Sequence, residues 1–202
     1  TSWESVYDNV AEIYYDISNT ATYPGTGPFI TNIGTEGNVF GTEGSLSGVI
    51  YEPGIVGGVL NFDGGADRIL LDSYDFGNEI TISAWIYPRL ENSVNTLLAN
   101  GTAGVSADGF KVGWNQWSTS DLRMSIEGGN GTTGEDIVTV DPAIVLNEGQ
   151  LVTYVIDFAN ATGTVNRNGV SLPTTGSIVS GISTTGPWHI GAMIGNYFQM
   201  DA

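Results

Sequence analysis

The sequence predicts an all-β protein, a two-sheet antiparallel β-sandwich, on three observations. Segments in which apolar and polar residues alternate recur along the chain, which is the signature of strands with one buried face. Turn-forming clusters separate them, among them Asn100-Gly101, Gly128-Gly129-Asn130-Gly131 and Asn168-Gly169; Asn-Gly is the strongest short hairpin signal because both residues tolerate positive φ. No long segment carries a 3.6-residue apolar period with caps, so no helix is expected.

The strands follow in order. Val10–Ile17 reads as a first, edge strand, followed by a long Gly-, Thr- and Pro-rich connection from Thr22 to Asn38. Leu60-Asn61-Phe62-Asp63 alternates, with Leu60 and Phe62 on one side and Asp63 on the other, and Gly64-Gly65 then permits a tight turn. Glu79–Tyr87 alternates over its whole length and is closed by Pro88, which has no N–H for a sheet ladder. Trp85 shares a face of that strand with Ser83 and Tyr87, and core packing is the role expected of its ring. Further strands read at Asn95–Ala99, Gly109–Trp114, Leu122–Glu127, Ile137–Val140, Leu151–Phe158, Thr164–Arg167 and Trp188–Ala192. Many short strands with frequent turns argue for a sandwich or jelly roll.

Composition narrows the function classes. The chain has 202 residues, a length that suits one all-β domain and is enough to bury a core without covalent staples. Its 29 glycines fit many tight turns between apolar runs. Five Lys and Arg face 22 Asp and Glu, a net charge of −17. Such a surface repels phosphate backbones and anionic lipid heads, so no nucleic-acid partner is expected. No stretch approaches the ~18 consecutive apolar residues of a spanning helix, and no membrane insertion is expected. There is no cysteine, which removes disulfides and thiolate chemistry. The chain starts at Thr1 rather than Met and stops at Ala202 without a turn signal. It reads as one domain over 1–202, a piece of a longer polypeptide with its last strand cut after 202.

Several segments in order carry a family resemblance. They are Tyr14-Tyr15-Asp16, then Thr22-Tyr23-Pro24-Gly25-Thr26-Gly27, then Gly57 to Ile69, then Ile80 to Pro88. In the second half come Gly149 to Tyr154, Val165 to Val170, Trp188-His189-Ile190-Gly191-Ala192 and Phe198-Gln199-Met200-Asp201. The series resembles the laminin-G-like/concanavalin A-like family of secreted bacterial proteins and of phage and large-virus structural proteins, over roughly residues 10–202. Two departures stand out. Thr153-Tyr154 occupies the place of the family's usual Trp-His pair, and no strand follows Asp201.

The resemblance implies a concanavalin A-like jelly roll and a non-catalytic surface recognition module that binds carbohydrate, a glycan or cell-surface polysaccharide, on a virion or a secreted protein. The expected location is the virion surface or the extracellular space. It also implies a structural Ca²⁺ near the chain ends, with ligands at Asp16, Gly58 and Asp201; the alternative is that the two aspartates are ordinary strand-end carboxylates. Asp63 and Asp67 share a Gly-rich turn, a weak metal signal. Candidate sugar contacts are Trp114, Asn115, Trp117 and Tyr197, with Trp188 a further aromatic, since sugar faces stack on rings and amides bind hydroxyls. Core or hairpin packing is the competing reading of Trp114 and Trp117.

Catalysis is not expected. Glycosidases of this fold place two carboxylates close together, commonly on one strand at period 2. Glu127 and the pair Glu135-Asp136 are separated by a Gly-rich turn, and Asp157 is alone in an apolar strand. His189 is the one histidine and reads as a satisfied strand residue. Asn100, Asn130 and Asn160 each head an Asn-x-Thr triplet in an expected turn, so each is either a glycan acceptor or plain turn chemistry. Two other functions stay open. One is a purely structural or decoration domain of a capsid or tail, with other virion subunits or the rest of its own chain as partners through strand donation. The other is a polysaccharide-active hydrolase or lyase.

Overall fold

The structure is a computed structural model that describes residues 13–35, 44–54, 57–62, 67–89, 94–101, 108–115 and 120–192. Among these residues there is no helix. Fifteen strands are arranged as follows: β1 (Phe29–Ile30), β2 (Gly44–Ser47), β3 (Ile50–Gly54), β4 (Gly57–Asn61), β5 (Arg68–Ser73), β6 (Glu79–Ile86), β7 (Asn95–Ala99), β8 (Gly109–Trp114), β9 (Met124–Gly129), β10 (Gly134–Thr139), β11 (Gln150–Asp157), β12 (Thr162–Arg167), β13 (Val170–Ser171), β14 (Thr174–Gly176) and β15 (Pro187–Ile190). They form a nine-stranded sheet in the order β1-β2-β5-β15-β7-β8-β9-β10-β14, a four-stranded sheet in the order β13-β12-β11-β6, and the β3-β4 hairpin. The strand pairs within these sheets are antiparallel.

The two larger sheets face each other across one core. From the nine-stranded sheet come Ile69, Leu71, Leu98, Phe110, Val112, Trp114, Met124, Ile126, Ile137 and Trp188; from the four-stranded sheet come Ile80, Ile86, Val152, Tyr154, Ile156 and Val165. The rings of Phe110 and Phe158 meet across the gap at 4.9 Å, and Phe110 also tilts against Trp188 at 5.2 Å. Tyr154 carries the layer's main polar link. Its hydroxyl donates to the Gly113 carbonyl at 2.9 Å, inside the core. Burying a phenol needs such a partner.

Alternation placed several strands at their observed bounds: Asn95–Ala99 and Gly109–Trp114 match, and Glu79–Ile86 stops just before Tyr87 and Pro88. Other expectations shift for local reasons. The strand expected from Leu122 begins at Met124, because Ser120 and Leu122 have positive φ and cannot enter an extended ladder. Val10–Ile17 is corrected: its described part, residues 13–17, contains no strand. There Asp16 Oδ1 accepts from the Ser18 N–H and hydroxyl, which turns the chain instead. The Asn168-Gly169 turn holds as expected. Both residues have positive φ, 50° and 78°, directly between the paired residues Arg167 and Val170.

Candidate functional site

Residues directly opposite each other on neighbouring strands project from the same face of a sheet. Phe110, Val112 and Trp114 point into the core, so their alternates on β8, namely Gly109, Lys111 and Gly113, point the other way. Following the register outward from Lys111 defines one row on this second face. His189 on β15 pairs with Ala99 on β7, Ala99 with Lys111, Lys111 with Glu127 on β9, and Glu127 with Asp136 on β10. A neighbouring row holds Thr96, Gly113 and Ser125 in register. The side chains round Lys111 are small (Ala99, Gly109, Gly113, Ser125 and Gly129), and Ala99, Lys111, Ser125 and Glu127 are all buried.

Lys111 Nζ lies 2.9 Å from Glu127 Oε2. Both residues are buried, with 8% and 5% exposure. Burial pushes the Glu127 carboxyl above its usual range; the Lys111 ammonium opposes that shift, and the neighbouring Asp136 adds to it. His189 is pushed below the usual imidazole value by burial and by the Arg68 guanidinium. The row also carries unfilled hydrogen-bonding capacity. Among the described residues five buried side-chain polar atoms lack a partner, and three of them sit on this face: Thr96 Oγ1, Glu127 Oε1 and His189 Nδ1. Such an atom left dry costs about 1–3 kcal/mol, which makes three in one place a feature to explain.

The residues expected from the sequence fall elsewhere. Trp114 is 1% exposed and belongs to the core cluster, so its ring presents no stacking face and the packing reading replaces the sugar-contact one. Asn115 is also buried and shapes the turn after β8. It has a φ of 57°, its Oδ1 accepts from the Leu122 N–H at 2.7 Å, and its N–H donates to the Arg123 carbonyl. Trp117 and Tyr197 lie outside the described residues. Trp188 is fully buried and its indole donates to the Tyr74 carbonyl at 3.0 Å. Trp85 reverses expectation. It is 75% exposed, on the outer face of the four-stranded sheet opposite Leu151, because Ile80, Ile82, Ala84 and Ile86 take the inward positions of β6.

The expected metal set is described only in part. Asp16 Oδ1 is engaged by Ser18, the Tyr51 ring packs directly over Gly58, and Asp201 and Asp63 lie outside the described residues. Asp67 is buried. Among the described residues no three acidic, histidine or cysteine side chains come together as a metal site. Of the three glycan-acceptor candidates, Asn100 is buried and structural: its amide donates to the Ser183 and Thr185 carbonyls and its Oδ1 accepts from the Phe110 N–H. Asn130 and Asn160 stay at the surface, and each anchors a turn through its side chain or backbone.

Sequence reasoning passed over Lys111, Thr96 and the pairing of Glu127 with Asp136. One signal was present. Lys111 is a lone charge in the apolar strand Gly109–Trp114, and a lone charge in a buried strand needs a partner. Which partner it takes depends on register across β8 and β9.

Two antiparallel sheets packed face to face over one core are the architecture of a β-sandwich. The chain belongs to the concanavalin A-like lectin/glucanases superfamily, whose family profile matches residues 63–200. Among solved structures it is similar to domain 4 of AbnA, a GH43 extracellular arabinanase from Geobacillus stearothermophilus, in complex with arabinotriose. The identity is 14% and the TM-score 0.62, over 95% of this chain and 87% of that one. It is also similar to domains LG4-5 of the mouse laminin alpha1 chain, at 14% identity and a TM-score of 0.50, over 70% of this chain and 38% of that one. No curated protein matches the chain.

Proposed function

We propose that this domain is a non-catalytic carbohydrate-recognition module of an extracellular protein or virion. The observation that carries this reading is the two-sheet sandwich, whose sequence matches the concanavalin A-like lectin/glucanases family profile over residues 63–200. The arabinotriose in the arabinanase domain supports the same class of ligand.

The non-catalytic part rests on Lys111. Glu127 and Asp136 face each other across β9 and β10, which brings two carboxylates together. A glycosidase needs one of such a pair to carry a proton to the leaving oxygen. Lys111 Nζ holds one oxygen of Glu127 at 2.9 Å and opposes the upward shift that burial gives this carboxyl, which ties Glu127 into a buried ion pair. A glycan array probed with the wild-type domain tests the proposal. Binding to a defined oligosaccharide, with no release of reducing ends on prolonged incubation, is the expected result. An array without a single hit would overturn it, and measurable hydrolysis would replace the module with an enzyme.

A second reading, a structural domain docked on a neighbouring chain, is favoured by one observation. Trp85 stands 75% exposed beside Leu151, with Tyr87 half exposed next along the chain. Such aromatics are enriched in protein interfaces. Protection of Trp85 from oxidative labelling only in the full-length assembly would support it.

A further inference from the structure

The outer face of the four-stranded sheet is open to solvent and holds its side chains in register. Thr81, Ser83 and Trp85 project outward from β6 and Leu151, Thr153 and Val155 from β11, because Ile80, Ile86, Val152, Tyr154 and Ile156 take the inward positions. We infer that this face is where the domain takes carbohydrate, as an oligosaccharide lying along the β6-β11 pair with one ring stacked on Trp85. This site rests on the carbohydrate-recognition reading above.

Trp85 is 75% exposed, so its indole offers an accessible ring. It stands opposite the half-buried Leu151, and Tyr87, 50% exposed, follows two residues on. The apolar face of a sugar stacks on such a ring. One step along the strands, Ser83 stands opposite Thr153, and their hydroxyls share a hydrogen bond of 3.0 Å at the surface. A hydroxyl carries one proton and two lone pairs. The pair spends one proton and one lone pair on itself and keeps the other proton and the remaining lone pairs for a ligand. Sugar hydroxyls both donate and accept, so they match both. Across the sheet this row continues through Asn166 on β12 and Ser171 on β13.

The ring alone suits a protein partner as well; the side chains beside it favour a sugar. Serine is depleted in protein interfaces. A protein covering the row of Ser83, Thr153, Asn166 and Ser171 has to pair each of these polar groups or leave it dry, at about 1–3 kcal/mol each. An oligosaccharide brings hydroxyls all along its length. None of these positions is charged, so nothing here calls for an ionic partner.

The site also has length. Trp85 to Thr81 is four residues of strand, about 13 Å. Thr81 and Val155 line an open depression of about 420 Å³ together with Glu79 and Asp157. Both oxygens of Asp157 accept from Asn160, which leaves the exposed Glu79 carboxylate as the acceptor for a sugar hydroxyl at this end. A single ring on Trp85 covers one end only, so a chain of sugars is the better match.

The experiment is a glycan array that includes arabino-, xylo- and cello-oligosaccharides, probed with the wild type, Trp85→Ser and Thr153→Val. Affinities for the hits are measured by calorimetry, and thermal melts run alongside. Trp85→Ser is expected to keep its melting temperature and to bind about tenfold more weakly. Thr153→Val keeps the shape, removes one hydroxyl and is expected to lose about threefold. Oxidative labelling of Trp85 should fall when a bound oligosaccharide saturates the wild type, with the buried Trp114 and Trp188 as internal controls. Undiminished binding by both variants, with Trp85 still labelled, overturns this site and leaves carbohydrate recognition standing. Self-association of the wild type that Trp85→Ser abolishes, with glycan affinity unchanged, assigns the face to a protein contact and overturns the site as well. No hit by the wild type sinks the carbohydrate reading itself.

Discussion

Lys111 and Glu127 stand directly opposite each other on β8 and β9, 2.9 Å apart at their charged ends, on the face of the sheet that the sandwich core does not use. Removing one partner leaves a buried charge without compensation, which typically costs about 3–5 kcal/mol. Lys111→Met is expected to lose about that much. The double variant Lys111→Met with Glu127→Leu is expected to recover most of it, since replacing a buried pair by apolar residues is often neutral. Urea unfolding of the two singles and the double, closed as a thermodynamic cycle, measures the coupling. Additive losses would mean that the pair is not coupled.

Two tryptophans are expected to respond in opposite ways. Trp188 is fully buried, its indole N–H is bonded to the Tyr74 carbonyl, and its ring meets Phe76 and Phe110. Trp188→Ala should cost about 3–5 kcal/mol. Trp85 is 75% exposed, and Trp85→Ser should change stability by less than about 0.5 kcal/mol. Thermal melts of both variants check this. A large loss at Trp85 would show that something covers its ring in solution.

The Asn168-Gly169 turn gives a purely conformational test. Gly169 has a φ of 78°, and a Cβ there meets nothing within 4 Å. Gly169→Ala therefore adds only the strain of a left-handed alanine, about 1 kcal/mol. The β12-β13 hairpin should keep its register, visible as unchanged amide exchange at Val165 while the melting temperature falls.

His189 sets a pH dependence. Its folded pKa lies below the ordinary value of 6.5. A depressed pKa contributes stability that is present above the unfolded value and is lost as pH falls through the folded one. The melting temperature should therefore drop more steeply between about pH 7 and pH 5 in the wild type than in His189→Gln. Glu127 acts with the opposite sign. Its raised pKa favours the fold at low pH and removes that contribution as pH rises. The difference between wild type and His189→Gln isolates the histidine; identical profiles would show that His189 titrates freely.

Local pattern was enough to place β7 and β8 at their ends and β6, β11 and β12 within two residues of them. In β6, β8 and β11 the inward residues recur with period 2, whereas β7 and β12 lack that alternation and are marked by the turn residues beside them, so the information is local in each. It failed where a side chain bends the backbone. Leu122 at a positive φ delays β9, and Asp16 turns a segment whose pattern reads as a strand. It also failed for the short strands β1, β13 and β14, which exist only because a longer neighbour supplies the ladder.

The aromatic residues show the same limit more sharply. Trp114 and Trp85 both sit in alternating strands, and nothing in the alternation of either strand says which face is covered. That choice belongs to the packing of one sheet on the other. Trp114 is enclosed with Met124 and Ile126 in the core cluster, whereas β6 turns Ile80 and Ile86 inward and leaves Trp85 in solvent.

What the sequence determined by itself is the all-β class, the position of the long strands and the net charge of −17, which depend on residue type and short-range period alone, while the order of its motifs carried the family resemblance. What only the tertiary structure decided is the buried polar row on the second face of the larger sheet. Thr96, Lys111, Glu127, Asp136 and His189 come from five strands, and they share a face through the registers of β15, β7, β8, β9 and β10. A slip of one residue in any of these pairings would send its side chains to the opposite face. Long-range hydrogen-bonded register, which no local pattern encodes, is what gathers these scattered polar residues onto one face.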